Sequence, residues 1–374
     1  MIYLDYAANT PVNDEVLKVF CDATKTYLGN PNSSHKLGRV AKEAIDKATE
    51  NISNILDIKD MDIIYTSSGT ESNNLAIKGV AKAYKSYGKH IITTYLEHSS
   101  VTAAMVDLQN EGYEVDFVDI LSDGTIDLEH LEELLRKDTI LVSICCVGSE
   151  VGIIQPIEEI NKLVSKFENC HLHVDATQAL GKIHLDINNI DLVTFTAHKF
   201  YGLNGSGIVV KKKEIRMEPI IHGGTSTTIF RSGTPEVAMI LATEKAIEIA
   251  IDNLDERYNY VKKLNSTLRS EFSKYKNVLI NSSEKSSPYI LNVSVKGIKA
   301  NRFQDELEKR DIYIATKAAC CAVNTVSKPV FAITKDRKRA MAAIRISLSH
   351  LVKEEEIKEF LEAFKLCYEK LINE

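Results

Sequence analysis

Apolar residues recur at helical spacing over 13–27, where Val16, Val19, Phe20, Ala23 and Tyr27 share one face. A longer stripe, Leu37, Val40, Ala41, Ala44, Ile45, Ala48, Ile52 and Ile55, predicts one amphipathic helix. The turn-rich loop GNPNSSHKLG, residues 29–38, joins the two as a connector or a binding segment. An opening strand is expected over 2–4. From residue 62 onward, short apolar runs alternate with helical stretches. Strands are expected over 62–66, 90–94, 115–118, 139–145, 172–175, 192–195 and 208–211. Helices are expected around Leu75, Ala76 and Val80, and over 99–111, 128–136, 157–167 and 235–252. This alternation predicts an α/β chain with a mostly parallel sheet covered on both faces.

The texture changes near residue 253. A charged helix is expected over 256–275, a β-rich stretch from 288 to 295, a helix over 301–309 and a strand over 312–315. The loop KAACCAVNTVSKP, a strand over 343–348 and an amphipathic helix over 354–371 follow. With 374 residues the chain exceeds what one core usually serves, so a large and a small domain are expected.

Two apolar runs end on polar residues. One closes at Asp175 and the other leads to Lys199, within HVDATQALGKIHLDINNIDLVTFTAHK. Strand ends in layered α/β domains project from one rim, where such folds place ligands. An acid and a lysine there suit a buried ion pair. They also suit pyridoxal phosphate (PLP), because the amine forms a Schiff base with the aldehyde and the carboxylate holds a proton on the ring nitrogen, but the pair by itself favours the structural reading.

Other polar segments keep two readings. Ser67-Ser68-Gly69-Thr70-Glu71 joins a strand to a helix N-terminus, a phosphate site or a plain cap. His98 follows a strand and suits a helix cap or a catalytic role. His171 and His173 share one strand face, but nothing in register completes a metal site, so no metal is expected.

Composition narrows the partners. Hydrophobic residues make up 44% and charged residues 26%, and the net charge is -6 with mixed signs, so no direct nucleic-acid or membrane partner is expected. No run is long enough to cross a bilayer and no leader pattern opens the chain, so a cytoplasmic protein is expected. The seven cysteines lack CxxC spacing, which fits buried thiols with room for one reactive thiol.

Read together, LDYAANTP, GNPNSSH, TSSGTESNNLAIKG, EHSS, HVDATQALGK, TAHKFYG, RSGTPE, a cysteine loop and IRISL resemble, in this order, the NifS/IscS-type cysteine desulfurases of the class V aminotransferases. The resemblance implies a fold-type-I PLP transferase. Residues 13–252 would form the large cofactor domain, and 1–12 with 253–374 a smaller α+β domain carrying the cysteine loop and the carboxylate-binding arginine. It further implies a homodimer, conversion of L-cysteine to alanine, and a persulfide passed to an acceptor protein in iron–sulfur assembly or thiolation. Lys199 would be the Schiff-base lysine, Asp175 the partner of the ring nitrogen and Gln178 that of the phenolic oxygen. His98 would stack on the ring and shuttle protons. Gly69, Thr70, Thr196 and His198 would hold the phosphate, and Thr234 would reach the neighbouring subunit's phosphate. Arg345 would grip the substrate carboxylate, and Cys320 would be the nucleophile, with Cys321 one residue beyond.

The chain departs from the family in places. CVGSEVG, residues 146–152, stands where the family reads HVNNEIG, so Ser149 replaces an asparagine expected to touch substrate. TSTTIF at 225–230 replaces a more polar run, and ATKAACC replaces STGSAC. A selenocysteine lyase or an aminotransferase on the same fold is the competing enzyme reading. A non-enzymatic sulfur-carrier scaffold would need none of Lys199, Asp175, Gln178, His98 and Arg345.

Overall fold

Seven strands form the central sheet of the computed structural model, which describes residues 1–316 and 326–373. The first strand of the chain, β1 (Ile2–Tyr3), lies outside that sheet. Helices α1 (Asp14–Thr26) and α2 (Lys36–Ile55) follow it. The sheet strands are then β2 (Met61–Thr66), β3 (His90–Thr93), β4 (Glu114–Phe117), β5 (Thr139–Cys145), β6 (His171–Asp175), β7 (Leu192–Phe195) and β8 (Gly207–Lys212). Helices α3 (Gly69–Tyr84), α4 (Ser99–Asn110), α5 (Leu128–Leu134) and α6 (Ile157–Val164) connect them, and α7 (Val237–Asp252) follows β8.

The strand order is β2-β8-β7-β6-β5-β3-β4. Pairs from β4 through β7 are parallel, while β8 runs antiparallel to both β7 and β2. The reversal at β8 follows from its connection: only a 3-10 turn and a short loop separate it from β7, too little chain for a crossover helix. One apolar cluster packs α3 and α4 on the sheet, through Leu75, Ile77, Val80, Val101 and Met105. Another covers β5 to β7 with residues of α1, α2, α5, α6 and α7. Both faces are thereby dry, which is why the central strands read as continuous apolar runs.

The rest of the chain builds a second core. Strands β9 (Val278–Ile280), β10 (Ile290–Val295) and, later, β12 (Ala343–Ser347) form an antiparallel sheet in the order β12-β10-β9. Helices α8 (Leu254–Phe272), α9 (Ala300–Glu308) and α12 (Glu354–Ile372) supply Phe272, Phe303, Phe360 and Phe364 to its apolar cluster. Strand β11 (Ile312–Tyr313) pairs in parallel with β1, which ties the N-terminus to this core.

Some expected bounds shift for local reasons. Helix α7 starts at Val237 because the Glu236 side chain caps it by accepting from Ala238 N. The expected strand over 312–315 is two residues long, and Ala315 then bridges singly to Arg345. Strand β9, with three residues, is too short to show a period. Helices α10 (Lys328–Thr334) and α11 (Arg337–Met341) were also not expected; each spans under two turns.

Candidate active site

Parallel pairing brings the C-terminal ends of β5, β6 and β7 to one rim. Cys145 lies opposite Asp175, and Asp175 opposite Thr194. Beyond β7 the chain makes a 3-10 turn, Ala197–Lys199, that the N-terminal segment clamps. Thr10 Oγ1 donates to the His198 carbonyl at 2.9 Å and accepts from Tyr201 N at 2.8 Å. The clamp holds Tyr201 at φ 70°, a left-handed value costly for an aromatic residue. Lys199 Nζ donates to the carbonyls of Ala8, at 2.6 Å, and Ala7, at 2.9 Å.

A cavity of about 220 Å³ opens at this rim. Its floor is Asp175, Thr177 and Gln178. Lys199 and Arg345 stand at its sides, His98 forms a wall, and Ser68, Gly69 and Thr70 at the start of α3 close one end with Thr196 and His198. Of the residues expected at a site, Lys199, Asp175, Gln178, His98, Gly69, Thr70, Thr196, His198, Arg345 and Ser149 therefore meet in one space, joined by Ser68 and Thr177. Ser68 caps α3 by accepting from Glu71 N at 3.1 Å. A Cβ at Gly207 would lie 2.4 Å from the Ser68 carbonyl, so only glycine lets β8 pass so close to the cap. A Cβ at Gly69 would meet Thr196 Cγ2 at 3.2 Å; without one, the first amides of the helix stay open to an anion.

Behind the cavity runs a directional hydrogen-bond chain. Ser143 Oγ lies 2.8 Å from His173 Nδ1, and His173 Nε2 lies 3.0 Å from Thr194 Oγ1. Thr194 in turn donates to Asn73 Oδ1. The Asn73 amide donates to both Asp175 Oδ2 and Ser100 Oγ, each at 2.9 Å, and Ser100 Oγ lies 2.8 Å from His98 Nδ1. Because Thr194 spends its hydrogen on Asn73, its oxygen accepts from His173, which fixes the Nε2–H tautomer there. Ser100 N also donates to His98 Nδ1, at 3.2 Å, so His98 carries its proton on Nε2. His98 is thus both the cap of α4 and a cavity residue. Burial lowers its pKa, and burial pushes His173 down to about 4 and His198, beside Lys199 and Lys182, also to about 4. All three are neutral at pH 7.

Arg345, 1% exposed on β12, donates to Asp5 Oδ1 at 2.6 Å and to the Ser149 carbonyl at 2.8 Å. Its Nε is buried without a hydrogen bond among the described residues. Ser149 thus meets the arginine through its backbone. Thr234 does not join this group: within the chain it lines a neighbouring cavity with Arg231, Gly233 and Glu236. Cys320 and Cys321 lie outside the described residues.

The histidine pair of β6 serves structure. His173 is in the chain above, and His171 packs edge-on against Tyr84 at 4.2 Å. Among the described residues no cluster of three or more His, Cys, Asp or Glu could hold a metal. No helix among them is long and apolar enough to cross a membrane.

Sequence reasoning missed Asn73, Thr10, Lys182 and Glu97. Asn73 carried a signal, a polar residue four before Ile77 on the buried stripe of α3. Glu97 accepts from Thr94 Oγ1 at 2.7 Å and Cys145 N at 3.0 Å, and burial pushes its carboxyl up to about 8. A neutral acid beside His98 has no signature in sequence.

The fold is that of a class-V aminotransferase, and the family model for Aminotransferase class-V matches residues 2–360. The chain belongs to this PLP-dependent family. It is 38% identical, over 99% of its own length and 93% of the relative's, to "Cysteine desulfurase IscS" of Glaesserella parasuis serovar 5 (strain SH0165). It is 35% identical to the protein of the same name in Dictyoglomus turgidum, over 99% of this chain and 95% of that one. Among solved structures, a NifS-like protein superposes with a TM-score of 0.91 at 36% identity, covering 99% of this chain and all of that one. The NifS-like protein of Rickettsia africae ESF-5 gives 0.89 at 30% identity, covering 99% of each.

Proposed function

We propose that this chain is a PLP-dependent cysteine desulfurase that converts L-cysteine to L-alanine and carries the sulfur as a persulfide to an acceptor protein. The observation that carries this reading is the single cavity at which Lys199, Asp175, Gln178, His98 and Arg345 meet the N-terminus of α3. The names of the full-length relatives support it.

The residues present fit the cofactor. An open helix N-terminus with Gly69, Thr70, Thr196 and His198 suits a phosphate. A carboxylate on Asp175, fixed by Asn73 Nδ2 and by Thr177 N at 2.9 Å, suits a protonated ring nitrogen. Gln178 would face the phenolic oxygen, the His98 ring would lie against the cofactor ring, and Lys199 is the amine at hand. When bound, the cofactor supplies a covalent hold on the substrate amine and a sink for an electron pair.

The chain's own residues do the rest. Arg345 would pair with the substrate carboxylate, and Ser149 sits at the same end of the cavity. Lys199 Nζ and His98 Nε2 would move protons at the substrate carbons, both from groups held at fixed geometry. The Cys320 thiolate would take the substrate sulfur, leaving alanine and a persulfide on the enzyme.

Thr234 would complete the phosphate site of a second copy, consistent with its separation from Lys199 within one chain, and the active form would be a homodimer. Residues 13–252 would act as the cofactor domain, with 1–12 and 253–374 as the smaller one. The acceptor would be an iron–sulfur scaffold or a thiolation enzyme, and the setting cytoplasmic. Alanine release with mass spectrometry of the loop peptide tests the reading. Cys320→Ser should keep the visible spectrum and lose persulfide and alanine, while Cys321→Ser keeps activity. Alanine release that survives loss of both cysteines would remove the loop nucleophile from the mechanism, and no alanine release by the parent protein would exclude the desulfurase reading.

A further inference from the structure

The side-chain amide of Gln178 is held from two sides, by a lysine amine and by a backbone carbonyl. Lys182 Nζ lies 2.7 Å from Gln178 Oε1, and Gln178 Nε2 lies 2.8 Å from the carbonyl oxygen of Ala7. The Ala7 carbonyl only accepts, so the amide nitrogen must face it, and that leaves the amide oxygen to accept from the Lys182 amine. The amide oxygen is turned toward Lys182 and the nitrogen faces Ala7. Gln178 also lines the cavity, and its nitrogen has a second hydrogen. That second N–H is a donor left over for the cavity.

Lys182 itself has no packing reason to be charged. It is 7% exposed, and Gln178 is its hydrogen-bond partner. The charges that face it, Lys199 and Arg345, are both cations, and burial followed by these two pushes its ammonium down to about 7. Desolvating an ammonium costs more than one hydrogen bond returns, and no carboxylate among the described residues offsets it. An apolar side chain would fill the place at lower cost. What a lysine adds here is the fixed direction of the Gln178 amide. Gly181, at φ 70° and with Ala250 Cβ within 2.7 Å of where its own Cβ would be, gives the turn that brings Lys182 back over Gln178.

We propose that Lys182 is a positioning residue: it locks the Gln178 amide so that Gln178 donates to the phenolic oxygen of the bound cofactor. The inference rests on the cofactor reading above and deepens it. A donor at that oxygen favours its ionised form, so the lock sets the pH at which the cofactor's visible band changes.

The test uses holoenzyme and a spectrophotometric pH titration of that band, with unfolding midpoints recorded alongside. Gln178→Ala should raise the apparent pKa of the band. Lys182→Met should reproduce at least half of that shift, and Lys182→Arg, still an obligatory donor, should restore the parent value. In a Gln178→Ala background, Lys182→Met should add nothing. Lys182→Ala carries the same comparison if the methionine variant does not fold. A band unmoved by loss of Lys182 overturns the inference, as does a shift of equal size without Gln178, which would mark a plain charge effect. A parent protein with no visible band and no borohydride-labelled Lys199 removes the cofactor reading as well. A normal parent band with an unresponsive Lys182 removes this inference alone.

Discussion

Asn73 Nδ2 lies 2.9 Å from Asp175 Oδ2, a buried hydrogen bond between the first turns of α3 and the end of β6. The same nitrogen serves Ser100, which orients His98. One amide therefore sets both the acid below the cavity and the imidazole at its wall. Asn73→Leu should leave the fold and weaken cofactor retention. A hydrogen bond to a charged group contributes about 1.5–3 kcal/mol, so retention should fall by about one to two decades. Dissociation of the chromophore followed by absorbance checks this; an unchanged off-rate would show that Asp175 needs no such support.

Lys199 is the second test. Borohydride reduction of the holoenzyme should label the peptide containing Lys199, and Lys199→Ala should abolish the label. The neighbouring Lys182 makes the result informative, since it is buried close by with an ammonium lowered to about 7. Label on Lys182 in the parent protein would overturn the assignment.

Much of this site was legible in the chain, and the physical reason is periodicity. Asp175 and Lys199 end apolar runs, and parallel strands deliver their ends to one rim whatever the loops do. Gly69 and Thr70 follow a strand and start a helix, which is enough to mark an anion site. The supports were not legible. Thr10 reaches the turn at His198 from 188 residues away, and Arg345 meets Asp5 across 340 residues. No local pattern encodes such pairings. Ser149 shows the same limit differently: its side chain drew attention in sequence, whereas its backbone carbonyl holds Arg345.

The Arg345–Asp5 pair sets a third expectation. Arg345 is 1% exposed, and Asp5 is the carboxylate that compensates it. Removing one partner of a buried ion pair costs about 3–5 kcal/mol. Asp5→Asn should therefore lower the unfolding midpoint and, by releasing the guanidinium from its fixed direction, raise KM for cysteine more than it lowers kcat. Equal losses in both would place Asp5 outside substrate binding.

Ser149 supplies a fourth. A serine offers one donor where an asparagine amide offers two. If that position helps Arg345 with the substrate carboxylate, Ser149→Asn should lower KM for cysteine by about one decade, the effect of about 1.4 kcal/mol. Steady-state kinetics check it, and an unchanged or higher KM would show that the backbone contact at Ser149 is the part that matters.

The last expectation concerns acid stability. His173 is fully buried, and burial lowers its pKa from 6.5 to about 4. Between these values the unfolded chain binds a proton that the folded chain refuses, so stability falls as pH falls through this window. A difference of about 2.5 units corresponds to about 3 kcal/mol. Glu97 acts the other way: burial raises its pKa to about 8, so above pH 4.5 its contribution to stability falls as pH rises. The parent's slope mixes the two, and His198 and His350, each lowered to about 4, add to the histidine side. The useful quantity is therefore the difference between parent and His173→Gln, which keeps hydrogen-bonding groups between Ser143 and Thr194 but has no proton to gain. Denaturant unfolding at pH 7 and pH 4.5 should show the variant losing less stability than the parent, by about 1–3 kcal/mol. Parallel losses in the two proteins would mean that His173 is protonated in the fold, and the tautomer chain from Ser143 to His98 would have to be drawn in another direction.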